Sequence, residues 1–393
     1  MQNNYNEWQE VKLADICEIK SGKRLPEGHS LVDFPTKNPY IKARDIRNGK
    51  ISNNNLQYLE ENTWKQIKKY IVNQDDVCIT IVANIGDVGI VPEHLEGANL
   101  TENAVRLTNF EPNIFPLFLN YLLSSVYYKE YMELMAAGSA QAKLGIYKVK
   151  EIKIKLPPLE TQKQIASILS AYDDQIENNL QRIAILEKSA QDLYKEWFVR
   201  FRINGEAFPT DTETGLPAGW ELKYFKDFIK LNRGFDLPDD KIEEGIYPVI
   251  ASTSIKAFHK EYKVKAPCVT TGRSGTLGVV LYVDSDGWPL NTSLYVKDFK
   301  GNSPIFVYYL LQELHLETFN AGAGVPTLNQ NHLHNLKIFV PNTALQQNFE
   351  NHIKTIFSQI QTLQEANQTL RQTRDRLLPR LMSGELQPQN IQL

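Results

Sequence analysis

Cysteine is scarce in this chain: Cys17, Cys78 and Cys268 are the three in 393 residues, with no C-x-x-C pair among them. That excludes a disulfide scaffold and a thiolate zinc module, and predicts a reducing, cytosolic setting. Long apolar runs are also missing. The greasiest stretch, FPLFLNYLLSSVYY (115–128), is interrupted by Asn120, Ser124 and Ser125, whereas a membrane span needs about 20 apolar residues. The opening MQNNYNEW has neither the basic nor the apolar region of a signal peptide. A soluble, cytoplasmic protein is expected. Nor is there an excess of charge, since 43 Lys and Arg against 46 Asp and Glu leave a net −3. Nucleotide motifs are absent too, because no G-x-x-x-x-G-K-[ST] occurs. A methyltransferase acting on adenine or cytosine amino groups carries [DNS]-P-P-[FYW]. Here NPY (38–40) lacks the second proline, and LPPL (156–159) lacks both the polar first residue and the aromatic last one.

What is present is a repeat. The chain is long enough for two or three domains. WQEVKLADICEIKSG (8–22) returns as WELKYFKDFIKLNRG (220–234), and PYIKARDI (39–46) as PVIASTSI (248–255). CITIVANIGDVGIV (78–91) returns as CVTTGRSGTLGVVL (268–281), and PLFLNYLLSS (116–125) as PIFVYYLLQE (304–313). KIKLPPLETQKQIASIL (153–169) and KIFVPNTALQQNFENHI (337–353) share Lys153/Lys337, Ile154/Ile338, Pro157/Pro341 and Gln162/Gln346, at a constant offset of 184. Short β-branched runs separated by glycines predict strands, and the FLNYLL-type segments predict buried helices. Each copy is therefore expected to be a mixed α/β globule.

A strict heptad follows each globule. The first seam runs Tyr172, Ile176, Asn179, Ile183, Leu186, Ala190, Leu193 and Trp197. The second runs Ile356, Ile360, Leu363, Asn367, Leu370, Arg374, Leu377 and Leu381 at the same offset. Steps of four and three are the a/d rhythm of a coiled coil, and a seam Asn in each fixes register. The two helices are expected to pair with each other over ~39 Å. They pair antiparallel, because a parallel arrangement would force the connector RINGEAFPTDTETGLPAG (202–219) back along the rod. Pro379 inside the second helix is expected to kink or end it.

Catalytic candidates are weak. Gly272, Gly275 and Gly278 have the wrong spacing for a nucleotide loop and read as turns. A nuclease-like PD…ExK can be traced through Pro238, Asp239, Glu261 and Lys263, but only in the second copy. His332 and His334 lack a third ligand at metal-binding spacing and read as surface histidines.

The half-repeat, the junction LPPLETQKQIASILSAYDDQIE, the central YKEWFVRF…LPAGWE and the terminal TRDRLLPRLMSGEL together resemble the specificity subunits of Type I restriction–modification systems, from Trp8 to Leu386. The resemblance implies an α+β fold: two similar mixed target recognition domains in pseudo-two-fold repeat, separated by two long helices forming an antiparallel coiled coil. The expected partition is domain 1 at 1–157, central helix 158–201, connector 202–218, domain 2 at 219–341, C-terminal helix 342–386 and tail 387–393. It further implies a non-catalytic reader of split double-stranded DNA that docks two modification subunits, with restriction subunits in the full complex. No cofactor is expected on this chain; S-adenosylmethionine, ATP and Mg belong to the partners. The alternative is a stand-alone DNA-cleaving or DNA-modifying enzyme using Pro238, Asp239, Glu261 and Lys263. Base edges are read by Arg, Lys, Asn, Gln, Ser and Thr on loops, and phosphates mostly by Lys and Arg. The candidate contacts in the first copy are Ser21, Lys23, Arg24, Lys42, Arg44, Arg47, Gln141 and Lys143. Those in the second are Arg233, Ser252, Thr253, Arg273, Ser274, Asn329 and Gln330. Ala344 stands where the first junction has Glu160, so the two docking surfaces are expected to differ in detail.

Overall fold

A computed structural model of the chain describes residues 8–137, 142–213, 215–322 and 324–391. Two compact units emerge: Met1–Asn178 with Ala366–Leu393, and Asn179–Glu365.

The first unit is built from β1 (Gln9–Lys12), α1 (Leu13–Ile16), β2 (Glu18–Ser21), β3 (Pro39–Ile41), β4 (Ile46–Arg47), β5 (Lys50–Ile51), β6 (Gln57–Tyr58) and α2 (Glu61–Ile67). It continues with β7 (Val77–Thr80), β8 (Val88–Ile90), β9 (Asn99–Leu100), β10 (Ala104–Thr108), α3 (Pro116–Leu123), α4 (Val126–Ala136), α5 (Ile146–Lys150) and β11 (Lys153–Leu156). Its main sheet has the order β2-β10-β7-β8; β6-β3-β9 forms a second sheet, and β1 pairs with β11. Strand β7, VCIT, is buried at every position, as a central β-branched strand covered on both faces must be. Helix α3 packs Phe118, Leu119 and Leu122 into the same core as Ile79, Val105 and Leu107.

After the helix α6 (Leu159–Tyr194) and a π turn (Lys195–Val199), the connector forms a hairpin, β12 (Arg202–Ile203) with β13 (Glu206–Ala207). Its turn is Asn204-Gly205, both with left-handed backbone (φ 51° and 83°), the dipeptide most favoured in two-residue hairpins. That N-G signal gives the start of the connector a regular hairpin.

The second unit repeats the plan with β14 (Trp220–Tyr224), α7 (Phe225–Phe228), β15 (Lys230–Arg233), β16 (Tyr247–Ile250), β17 (Ile255–His259), β18 (Cys268–Gly272), β19 (Val280–Val283), β20 (Trp288–Pro289) and β21 (Ser293–Asp298). Then come α8 (Pro304–Glu313), α9 (Gln330–His334), β22 (Lys337–Pro341) and α10 (Thr343–Met382). Its sheets are β15-β21-β18-β19, β17-β16-β20 and β14-β22, the pattern of the first unit without its β4-β5 pair. Gly22 and Gly234, matched in the repeat, end corresponding strands against a neighbouring chain segment. A Cβ there would sit 2.0 Å from the Thr101 carbonyl oxygen and 2.2 Å from that of Leu290, so only glycine fits.

Gln162 and Gln346 are the clamps at the hand-over from strand to helix. Gln162 is fully buried. Its Oε1 accepts from Phe115 N (2.9 Å), and its Nε2 donates to the carbonyls of Asn113 (3.0 Å) and Pro157 (2.9 Å). Gln346 accepts from Ser303 N (3.0 Å) and donates to Asn302 Oδ1 (2.9 Å) and the Pro341 carbonyl (3.0 Å). One side chain thus fixes the start of the long helix to the entry of α3 or α8.

Within each unit, segments of α6 and α10 run antiparallel. In the first, Ile165, Ile168, Leu169 and Tyr172 share a core with Leu377, Leu381 and Met382, while Asn367 Nδ2 donates to the Ile176 carbonyl at 3.5 Å. In the second, Ile183 and Leu186 cluster with Ile356, Ile360 and Leu363, and Tyr194 and Trp197 meet Phe349. All the seam residues expected from the heptads are buried or half-buried, including Ala190, Leu193 and Leu370. Pro379 does not end α10, which runs on to Met382. It lies in the last turn, so the N–H···O=C bond it removes falls just before the helix stops.

Candidate nucleic-acid interface

In the first unit, β7 and β8 are joined by a tip in which Ala83 takes a left-handed backbone (φ 64°). Thr80 ties the tip down: its hydroxyl donates to the Asn84 carbonyl and accepts from Asp87 N at 3.0 Å. Asp87 is buried and faces two cations, Lys129 of α4 at 2.7 Å and Arg47 of β4 at 3.9 Å. A cleft of about 530 Å³ opens here, lined by Arg47, Asn48, Asn84, Asp87, Lys129 and Glu133. Lys143 bridges to Val82 at the base of the same tip. Arg47 thus lines the cleft and the Lys143 backbone sits at the base of its tip; Gln141 lies outside the described residues.

The remaining candidates of this unit gather along β3 and the β9–β10 turn. As the chain leaves β2 after the exposed Ser21, Lys23 N donates to the Leu100 carbonyl at 2.8 Å, and the Lys23 ammonium lies 5.6 Å from the centre of the Tyr70 ring. Arg24 Nε donates to Glu102 at 3.0 Å. Burial pushes the Glu102 carboxyl up, but hydrogen bonds from Arg24, from backbone N–H and from Thr101, with the Arg24 charge, hold the group below its ordinary value. Ile41 accepts from Thr101 N at 3.0 Å, which sets Lys42 beside this turn. Lys42 hydrogen-bonds Gln57, and burial together with the Arg44 charge lowers its pKa. Arg44 rests on Asp45 at 3.6 Å.

In the second unit, the β18–β19 tip is held from three sides. Arg273 N donates to the Thr292 carbonyl (2.8 Å), Leu328 N to the Arg273 carbonyl (2.8 Å), and Ser274 bridges to Thr327. The Ser252 hydroxyl sits against the carbonyls of Ser274 (3.2 Å) and Thr292 (3.1 Å). Arg273 Nη1 donates to the Asn291 carbonyl at 3.3 Å, Asn291 Nδ2 donates to Asp236, and Asp236 also holds Arg233 at 3.4 Å. Arg233, Ser252, Arg273 and Ser274 therefore form one linked cluster, with Thr253 exposed beside it. Asn329 is occupied locally as the cap of α9, accepting from Asn331 N at 3.0 Å, and Gln330 is that helix's first residue.

Sequence reading missed Asp87, Lys129, Asp236 and Asn291. Asp87 lies inside a repeated segment, yet only the folded tip shows it holding cations. Lys129 carries no signal on an ordinary helix. Arg24, Arg44, Arg47 and Arg233 each rest on a carboxylate, which orients guanidinium groups and is consistent with a net charge of −3.

The nuclease-like residues serve other ends. Asp239 pairs with Lys256, and the Lys263 ammonium lies 4.6 Å from the Trp288 ring centre. Among the described residues no three His, Cys, Asp or Glu side chains gather as metal ligands. His334 is half-buried and accepts from Leu231 N at 3.2 Å, so it is a structural acceptor rather than a surface group; His332 is exposed. No helix of the described residues is long and apolar enough to cross a membrane.

The family model of the Type I restriction modification DNA specificity domain matches residues 5–188 and again 217–372. The Type I restriction enzyme MjaIX specificity subunit of Methanocaldococcus jannaschii is 27% identical over 414 residues, covering 98% of this chain and 95% of the relative. The HindI specificity subunit of Haemophilus influenzae is 24% identical, covering 97% of this chain and 100% of that one. A crystal structure of a Type I restriction–modification S subunit from M. genitalium shares the fold, with a TM-score of 0.59 at 17% identity over 97% of this chain and 98% of that one.

Proposed function

We propose a DNA-reading function on one premise: the chain belongs to the family of Type I restriction modification DNA specificity domains. The observation that carries the reading is the double match, one specificity domain per copy, each copy gathering a linked cluster of Arg, Ser, Asn or Lys around the tip of corresponding strand pairs. Each recognition domain, 1–157 and 219–341, reads one half of an asymmetric split target in double-stranded DNA. The helical segments 158–201 and 342–386 set the spacer and dock two modification subunits; 202–218 connects and 387–393 is a tail.

In this reading Arg47 and Arg273 address guanine edges, Asn84 and Ser274 other base edges, and Lys23, Lys42, Lys129 and Lys143 phosphates. The Thr80 hydroxyl, bonded to Asn84 and Asp87, and the Ser252 hydroxyl, bonded to the Ser274 and Thr292 carbonyls, tie down the two tips, which favours preorganised contacts. The chain performs no chemistry of its own. The modification subunits supply adenine methylation from S-adenosylmethionine, and restriction subunits add ATP- and Mg-dependent cleavage.

The test is methylation of host genomic DNA by the modification subunit with and without this chain. A split motif that appears only in its presence is the expected result. Unchanged sequence-specific methylation in its absence refutes the reading.

A further inference from the structure

The two junctions between recognition unit and helix pair have the same shape but opposite chemistry. In the first unit, Asp173 of α6 uses both carboxylate oxygens: Oδ2 accepts from the Tyr121 hydroxyl of α3 at 2.5 Å, and Oδ1 from Arg374 of α10. Arg374 also donates from Nε and Nη2 to its neighbour Asp375, at 3.0 and 2.8 Å. The side chains of Asp173 and Arg374 retain 15% and 27% of their exposure, so solvent screens this pair little.

The repeat puts Phe357 where Asp173 stands, Ala190 where Arg374 stands, both at the offset of 184, and Tyr309 where Tyr121 stands. In the second unit that corner is aromatic. Phe357 lies 5.3 Å from Tyr282 and 6.4 Å from Tyr308 by ring centres, Tyr309 stacks 5.7 Å from Tyr194, and Ala190 is fully buried in the same cluster. The buried seam amides do not recur either, since Asn179 repeats as Leu363 and Asn367 as Ile183.

The two corners would treat an exchanged helix differently. If α6 met a second α6 in place of α10, Asp173 would face Ala190 and lose its guanidinium. If α10 met a second α10, Arg374 would enter the aromatic corner at Phe357. Removing one member of a largely buried ion pair is far costlier than the pair is stabilising, and specificity is set by such mismatches as much as by matches. We propose that Asp173, Arg374 and Tyr121 form a partner-selecting lock, by which α6 accepts the α10 helix and rejects a second copy of itself. The proposal is independent of the DNA-reading function.

The test uses full-length chains carrying D173R or R374D with different affinity tags. Each alone juxtaposes two like charges in the lock and should melt several degrees below wild type, whereas D173R/R374D in one chain should recover most of that loss. Co-expressed, the two single variants are complementary only between copies. The arginine introduced on α6 of one copy then meets the aspartate introduced on α10 of the other, and the unaltered Asp173 and Arg374 meet at the second junction. A mixed dimer should survive tandem purification, while neither variant alone nor wild type forms a dimer. Failure of the double variant to recover, or folded single variants without a mixed dimer, overturns the proposal. If charge reversal blocks folding, D173N and R374Q replace it. Their melting losses should fail to add in the double variant, and full additivity overturns the lock.

Discussion

Replacing Gln162 with alanine should loosen the first unit without touching any candidate DNA contact. The side chain is fully buried and makes three hydrogen bonds, to Phe115 N, Asn113 O and Pro157 O. A net value of about 1 kcal/mol per bond is discounted for the Phe115 and Asn113 partners, which water reaches, giving a loss of about 2 kcal/mol. For a unit of roughly 200 residues, an unfolding entropy of ~2.1 cal/mol/K per residue turns that into a fall of about 5 °C. Differential scanning calorimetry of the full chain reads it, with hydrogen exchange locating the loosening at the entry of α3. Gln162→Glu should rescue nothing: it keeps the acceptor for Phe115 N but sets a second oxygen against two carbonyls. An unchanged midpoint in the alanine variant would refute the clamp.

Leu363→Ala, in the apolar cluster with Ile183 and Ile360, should destabilise the second unit by about 2–3 kcal/mol, measured by urea unfolding. His334 accepts from Leu231 N, and burial, with the nearby Lys230 and Lys300 charges, lowers its pKa from the ordinary 6.5. The folded state therefore opposes protonation. Its contribution is complete above pH 6.5 and is lost as pH falls toward the lowered folded pKa. Unfolding midpoints taken from pH 7.5 down to 5 should drop more steeply for wild type than for His334→Gln; parallel curves would show that this histidine does not report. Lys129→Ala should weaken DNA binding across sequences and flatten the log–log salt dependence by about 0.9 if it meets one phosphate, read by fluorescence anisotropy at several salt concentrations. Arg273→Ala should instead relax one position in the second half of the methylated motif, seen by mapping methylated adenines; an unchanged motif counts against base readout by this residue.

Much of the architecture was legible because it is written twice. Two copies of one pattern identify the strand ends, the buried helices and the helix starts, and a heptad with period 3.5 permits few ways to bury its apolar stripe. Each marked seam position is buried or half-buried. Two local signals in the sequence have a specific structural meaning. Asn204-Gly205 specifies a hairpin through positive φ, and the matched Gln162 and Gln346 belong to the hand-over as much as the prolines they bond.

The sites were legible only in outline. Basic and hydroxyl residues on loops can be named from sequence, but which of them meet depends on non-local pairings. Arg47 comes to Asp87 across 40 residues, and Arg233 to Asn291 through Asp236. Lys129 and Asp173 look like ordinary helix-surface charges until tertiary packing sets them against Asp87 and Arg374. Local periodicity thus determined the repeated plan and the antiparallel helices. The pairing of charges was left to the tertiary structure, because electrostatic partners are chosen by distance in space and carry no period along the chain.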